Sequence, residues 1–193
     1  EGKDAVAETV TVTRPADPGP AVETVFSLDF GNGRGGVWAD SDAAWKTQTG
    51  TGAGTVDYVM ARMRINNDNF GSAGKYTGAS GAAYAKIFTD GDPGYFTIRN
   101  ISLPDGVKDF TLSFGTIFPA GDMALSVSAD GRRWQPLAYT GASSYNTWTR
   151  ASVGFTLGQA AETLFIRFAV TGVERQYGLN FDDVTLTTGG GGQ

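Results

Sequence analysis

Two carboxylates stand side by side at Asp182 and Asp183, inside Leu179-Asn180-Phe181-Asp182-Asp183-Val184-Thr185-Leu186, a stretch that otherwise reads as a β-strand. Leu179 and Phe181 share one face of that strand, whereas Val184 and Leu186 belong to the other, so the alternation slips at the acid pair. A bulge is expected there, aiming paired oxygens at an ion. The chain contains no His and no Cys. That removes Ser-His-Asp and Cys-His nucleophilic machinery, HExxH and Cys-ligated zinc sites, and His-carboxylate iron sites. Hard oxygen donors alone suit Ca²⁺. Asp40 and Asp42, between Trp38 and Trp45, form a second acidic cluster that reads more simply as a solvated loop. Carboxylates alone can also cleave a glycosidic bond when two of them are held roughly 5 to 10 Å apart. Asp90-Gly91-Asp92 fits a turn better and Asp182-Asp183 fits cation binding better, so the expectation is a protein that does not catalyse.

The aromatic residues divide into two sets. Trp134 and Trp148 each stand at the start of an alternating segment, where a sandwich buries an indole, and are expected in the core. Trp38, Trp45, Tyr58, Tyr76 and Tyr84 fall in or beside Gly-rich segments at 31–58 and 66–82, near Arg62, Arg64, Asn66, Asn67 and Asp68. Aromatic faces stack on the C–H faces of sugars while amides, acids and guanidiniums bond the hydroxyls. Trp38, Trp45, Arg62, Arg64, Asn67, Tyr76 and Tyr84 are therefore the predicted ligand surface. Simple packing of the loops is the competing reading.

Strands must position these groups. Leu164, Ile166, Phe168 and Val170 alternate with Phe165, Arg167 and Ala169, and Met123, Leu125 and Val127 alternate with Ala124, Ser126 and Ser128. Phe26 to Phe30, Phe96 to Ile98, Phe110 to Phe114 and Val153 to Leu157 repeat the pattern, each segment with one apolar face. Turn signals separate them at Pro104-Asp105-Gly106, Pro119-Ala120-Gly121-Asp122 and Asp130-Gly131. No segment sustains a helical period. The 193 residues include 28 Gly spread between apolar segments, which read as turn punctuation, and the 40% hydrophobic share is enough to build a core. The expected architecture is an all-β, antiparallel jelly-roll β-sandwich forming a single domain at 23–188. A proline-rich linker or edge segment at 1–22 precedes it, and a Gly-rich tail at 189–193 follows. A net charge of -5 offers no basic stripe for nucleic acid and disfavours anionic membrane surfaces. No apolar run approaches the roughly 18 residues of a membrane span.

Four segments resemble known domains. Phe26-Ser27-Leu28-Asp29-Phe30-Gly31-Asn32-Gly33, the Ser-x-Asp-Gly-x-x-Trp hairpin at 128–134, Asn146-Thr147-Trp148 and the closing segment 179–186 are together similar to jelly-roll surface domains of Gram-negative anaerobes. These include cleaved-adhesin and choice-of-anchor domains and galactose-binding-like carbohydrate-binding modules. The resemblance implies an extracytoplasmic, non-catalytic and monomeric binding module, with glycan as the expected partner. It also implies a structural Ca²⁺ where first and last strands meet, adding Asp29 to Asp182 and Asp183. Two alternatives stay open: a structural or adhesion domain contacting a cell-surface protein, and a carboxylate-only glycan-active enzyme. One fold hosts many functions.

Overall fold

The alternation at the end of the chain is realised residue by residue: Leu164, Ile166, Phe168 and Val170 are buried, while Thr163, Phe165, Arg167 and Ala169 are half-exposed. The computed structural model describes residues 21–30, 38–39, 43–45, 56–81, 83–88, 94–119, 121–143, 146–171 and 178–189, with the backbone alone for 38–39, 43–45 and 67. Its elements in chain order are β1 (Thr24–Leu28), β2 (Trp38–Ala39), β3 (Ala43–Trp45), β4 (Asp57–Ala61), β5 (Met63–Asn67), β6 (Ala83–Ile87), β7 (Tyr95–Ser102), β8 (Asp109–Thr116), β9 (Met123–Ser128), β10 (Gln135–Leu137), β11 (Thr149–Thr156), β12 (Thr163–Val170) and β13 (Leu179–Thr188).

They form two antiparallel sheets. One has seven strands, ordered β11-β8-β13-β6-β5-β2 with β1 also on β13, and the other has six, ordered β10-β9-β12-β7-β4-β3. The chain is an antiparallel β-sandwich of the jelly-roll kind, and the alternation sets which side chains of each strand face its interior. Segment 31–58 departs from the expected long loop, because β2, β3 and the start of β4 lie within it. Strands this short, built partly on Ala39, Ala43 and Ala44, carry too little apolar alternation to be read from sequence.

The core lies between the sheets and is largely aromatic. Phe168 of one sheet stacks on Phe181 of the other with centroids 4.5 Å apart, and Phe30 meets the same Phe181 ring edge-on at 5.5 Å. Phe96 completes the cluster at 5.8 Å from Phe181. Burying rings of this size is worth about 1.5 to 3 kcal/mol each, enough to lock the two sheets together. At the end of β13, Gly189 donates to the Asp109 carbonyl at 2.8 Å and accepts from Thr111 Oγ1 at 2.8 Å. The first tail residue is thus tied to the sheet.

β13 has a divided edge. Its start pairs with β6 through Leu179, Asn180 and Phe181. Its later part pairs with β1, where Leu28 faces Val184 and Phe26 faces Leu186. Asp182 and Asp183 fall in the gap between these partners. On the opposite edge the ladder with β8 shifts register between Asp182 and Thr185, and Asp183 has φ 50. The bulge stands at the predicted acid pair.

Candidate functional site

The pleat turns Phe181 into the core and leaves Asn180 and Asp182 on the outer face of the seven-stranded sheet. They are nonetheless buried, because the Gly- and Ser-rich segment 68–81 folds across that face. Asp182 is 0% exposed and Asp183 is 6% exposed. Ser72 Oγ donates to Asp182 Oδ2 at 2.5 Å, the Asp183 amide donates to Asp182 Oδ1 at 2.8 Å, and the Tyr76 hydroxyl donates to Asp183 Oδ2. The Ser80 amide reaches both Asp183 oxygens at 3.3 and 3.2 Å. Among the described residues neither carboxylate has an ion-pair partner. Burial, and after it the Asp183 charge, push the Asp182 carboxyl up to about 8, with half-exposed Asp29 adding to the rise. Burial and the hydrogen bond to Asp183 likewise raise the Tyr76 phenol.

This is a donor set of hard oxygens, two adjacent carboxyl groups and a hydroxyl, chemistry that fits Ca²⁺. Asp182, Asp183 and Ser72 are the side chains that would hold it. Asp29 follows β1 directly, beside the gap, yet no group of three or more acidic, His or Cys side chains among the described residues converges on one point. The expected three-aspartate set is thus drawn as two adjacent carboxyl groups and a nearby third.

The other end of the loop is braced separately. Asp68 Oδ1 accepts from the Phe70 amide at 2.9 Å and from the Tyr84 hydroxyl at 3.0 Å, and Asn66 Nδ2 donates to Asp68 Oδ2 at 3.3 Å. Burial pushes the Tyr84 phenol up to about 12. Trp148 Nε1 donates to the Phe70 carbonyl at 2.7 Å, and its ring packs edge-on against Tyr84 at 5.9 Å. With its backbone fixed this way, Phe70 projects a ring that is 60% exposed; Val22 is the other large apolar side chain so exposed among the described residues. Phe70 borders a cleft of about 360 Å³ with Asn69, Lys75, Asn146, Thr147 and the edge of Trp148.

The predicted ligand surface is divided by the fold. Tyr84 points outward from β6 but is 1% exposed because the loop covers it, so it is a brace and not a platform. Tyr76 is likewise half-buried against Asp183. Tyr58 faces the core, stacked on Phe96 at 5.6 Å. Arg64 lies further along the outer face of the seven-stranded sheet, with its guanidinium 5.2 Å from the Phe88 ring. Arg62 occupies the tight connection between β4 and β5 with φ 49. Trp38 pairs with Arg64 at one edge of the seven-stranded sheet, and Trp45 pairs with Tyr58 at an edge of the other. The two residues therefore belong to different sheets. Asn67 closes β5 opposite Ala83. Asp40, Asp42 and the Asp90 to Asp92 turn lie outside the described residues. Trp148 is buried as expected, but Trp134 is half-exposed on the outer face of the six-stranded sheet, a correction to its core assignment. Phe70, Asn69, Lys75, Asn146 and Thr147 were not anticipated, although the Gly-rich composition of 66–82 marks the segment that carries three of them.

No family model matches the chain, and no curated protein matches it. Solved structures do. A cyclase from Fischerella sp. TAU superposes with a TM-score of 0.52 at 13% identity, covering 90% of this chain and 100% of that one. A family 35 carbohydrate-binding module from Clostridium thermocellum superposes at 0.45 and 17% identity, covering 78% and 96%. The K2 cleaved adhesin domain of Lys-gingipain superposes at 0.44 and 14% identity, covering 68% and 89%. At 13% identity the likeness to the cyclase shows the fold alone and leaves the chemistry to the site itself.

Proposed function

We propose that the chain is a non-catalytic, extracytoplasmic glycan-binding module whose sugar docks in the loop-end cleft beside Phe70, and that Ca²⁺ on Asp182 and Asp183 fixes the loop carrying that ring. The observation that supports this reading is the pairing of an exposed aromatic ring with amide, hydroxyl and ammonium donors around one cleft. Asn69, Asn146 and Thr147 offer the donors and acceptors that sugar hydroxyls need, and Phe70 offers a face for stacking. The cleft suits one or two sugar rings. The non-catalytic part is supported by the acids: among the described residues, three clefts of about 580, 300 and 360 Å³ are each lined by at most one carboxylate, whereas a glycosidase needs two.

A glycan array on the purified chain, followed by titration calorimetry with the best neutral oligosaccharide, tests the reading. Phe70→Ala should weaken binding about 5- to 10-fold at an unchanged melting temperature, since an exposed ring adds little to folding. Unchanged sugar affinity in Phe70→Ala would transfer the function to the adhesion reading, in which that ring contacts protein.

A further inference from the structure

The Ser-x-Asp-Gly-x-x-Trp hairpin between β9 and β10 is rigid for reasons its residues make plain. Ser128 Oγ accepts from the amides of Asp130 and Gly131 at 3.3 and 2.9 Å, and Asp130 Oδ1 accepts from the amides of Arg132 and Arg133 at 2.8 Å each. These bonds from backbone amides hold the Asp130 carboxyl well below the usual carboxylate range. Gly131 adopts φ 69, and a Cβ there would press on the Phe165 ring at 3.2 Å. The hairpin therefore lies down on the outer face of the six-stranded sheet. It sets Trp134 against Arg167, whose guanidinium carbon is 4.3 Å from the indole centroid.

The sheet beneath is in register for the same purpose. Val59, Thr97 and Arg167 form one cross-strand row over β4, β7 and β12, and Arg167 Nε donates to Thr97 Oγ1 at 2.9 Å. One pleat further along β7, Arg99 clamps Asp57 through Nε and Nη2 at 2.9 and 2.7 Å. The result is a cleft of about 300 Å³ floored by Val59, Phe165 and Trp134 and rimmed by Arg99, Arg132 and Arg167. Among the described residues in and around it, Arg99, Arg132, Arg133 and Arg167 stand against Asp57 and Asp130, an excess of positive charge in a chain whose net charge is -5.

We propose that this cleft is a second saccharide site, and that it takes a sugar bearing an oxyanion, either carboxylate or sulfate. The apolar floor meets the C–H face of a pyranose ring. The guanidinium rim meets the oxyanion with charge-assisted hydrogen bonds, which planar forks make well. The proposal stands on its own residues and not on the loop-end cleft, which lies where the loop at 68–81 meets the end of β8 and the entrance of β11 in the other sheet.

Calorimetry on the full chain decides it, with oligogalacturonate, a heparin-derived oligosaccharide and a neutral galacto-oligosaccharide of equal length as probes. At least one anionic probe should bind 10-fold or more tightly than the neutral one and weaken as salt is raised; which anion prevails identifies the oxyanion. Arg132→Glu, at an exposed hairpin position, and Arg167→Gln should each weaken the anionic probe at least 5-fold, while Phe70→Ala leaves it unchanged. Equal affinities for charged and neutral probes, no binding of either anion, or wild-type affinity in Arg132→Glu overturns the proposal. Loss of neutral-sugar binding in Phe70→Ala alone would leave this site intact.

Discussion

The indole nitrogen of Trp148 donates to the backbone carbonyl of Phe70 at 2.7 Å, joining the entrance of β11 to the tip of a loop 78 residues earlier. That bond places the exposed ring at the cleft. Trp148→Phe keeps most of the packing and removes the donor, so it should cost about 1 kcal/mol of stability and leave the Phe70 carbonyl without that partner. Trp148→Ala should cost about 3 to 5 kcal/mol, read as a lost or much lower thermal transition. Wild-type melting in both variants would mean that the indole does not brace the loop.

Calcium should act on the same loop from the other side. A site saturated at about 100 times its Kd adds roughly 2.7 kcal/mol, so melting in excess EDTA should fall by several degrees relative to melting with Ca²⁺. Identical melts would remove the ion from the account.

The metal-free protein should also carry a pH signature. Asp182, raised to about 8 by burial and by the Asp183 charge, keeps its proton in the folded state where an unfolded aspartate has already lost it. Between about pH 4 and pH 8 the folded state therefore binds more protons, and stability falls as pH rises. Melts in EDTA should drop from pH 5 to pH 8. Saturating Ca²⁺ favours the ionised carboxylate and should flatten that slope. A melting temperature in EDTA that rises across this window would contradict the assignment.

Gly115 tests the fit of the loop on the sheet. It faces Asp182 across the ladder from β8, and a Cβ at this position would collide with the Tyr76 hydroxyl and ring. Gly115→Ala should push Tyr76 off Asp183 and shift melting downward by several degrees, whereas Tyr76→Phe removes the hydroxyl without the collision. If Gly115→Ala melts with the wild type, the ring is not held where the structure draws it.

The fold was legible because burial follows the pleat. Leu164 to Val170 carry their facing in plain alternation, and in Leu179 to Leu186 the phase slip at Asp182-Asp183 is visible as a mismatch between two apolar pairs. The site was less legible, for a physical reason. Tyr84 and Asp182 lie on an outward face that pleat logic calls exposed, and long-range contacts with loop 68–81 and, at Tyr84, with Trp148 cover them. No local pattern reports that a loop will cover a sheet. Trp134 failed in the opposite direction: it begins a strand, as core indoles do, but the Asp130 turn lays it flat on the outside.

The divided edge of β13 also bears on how the chain is made. β1, β6 and β8 all pair with Leu179–Thr188, which is synthesised after every one of them. Until that segment has left the ribosome, three finished strands lack the neighbour that covers their hydrogen-bonding edges, and such edges recruit other chains. Closure of the seven-stranded sheet therefore waits on Leu179–Thr188, and a chain cut before that segment is the form of this protein whose strand edges are most open to other chains.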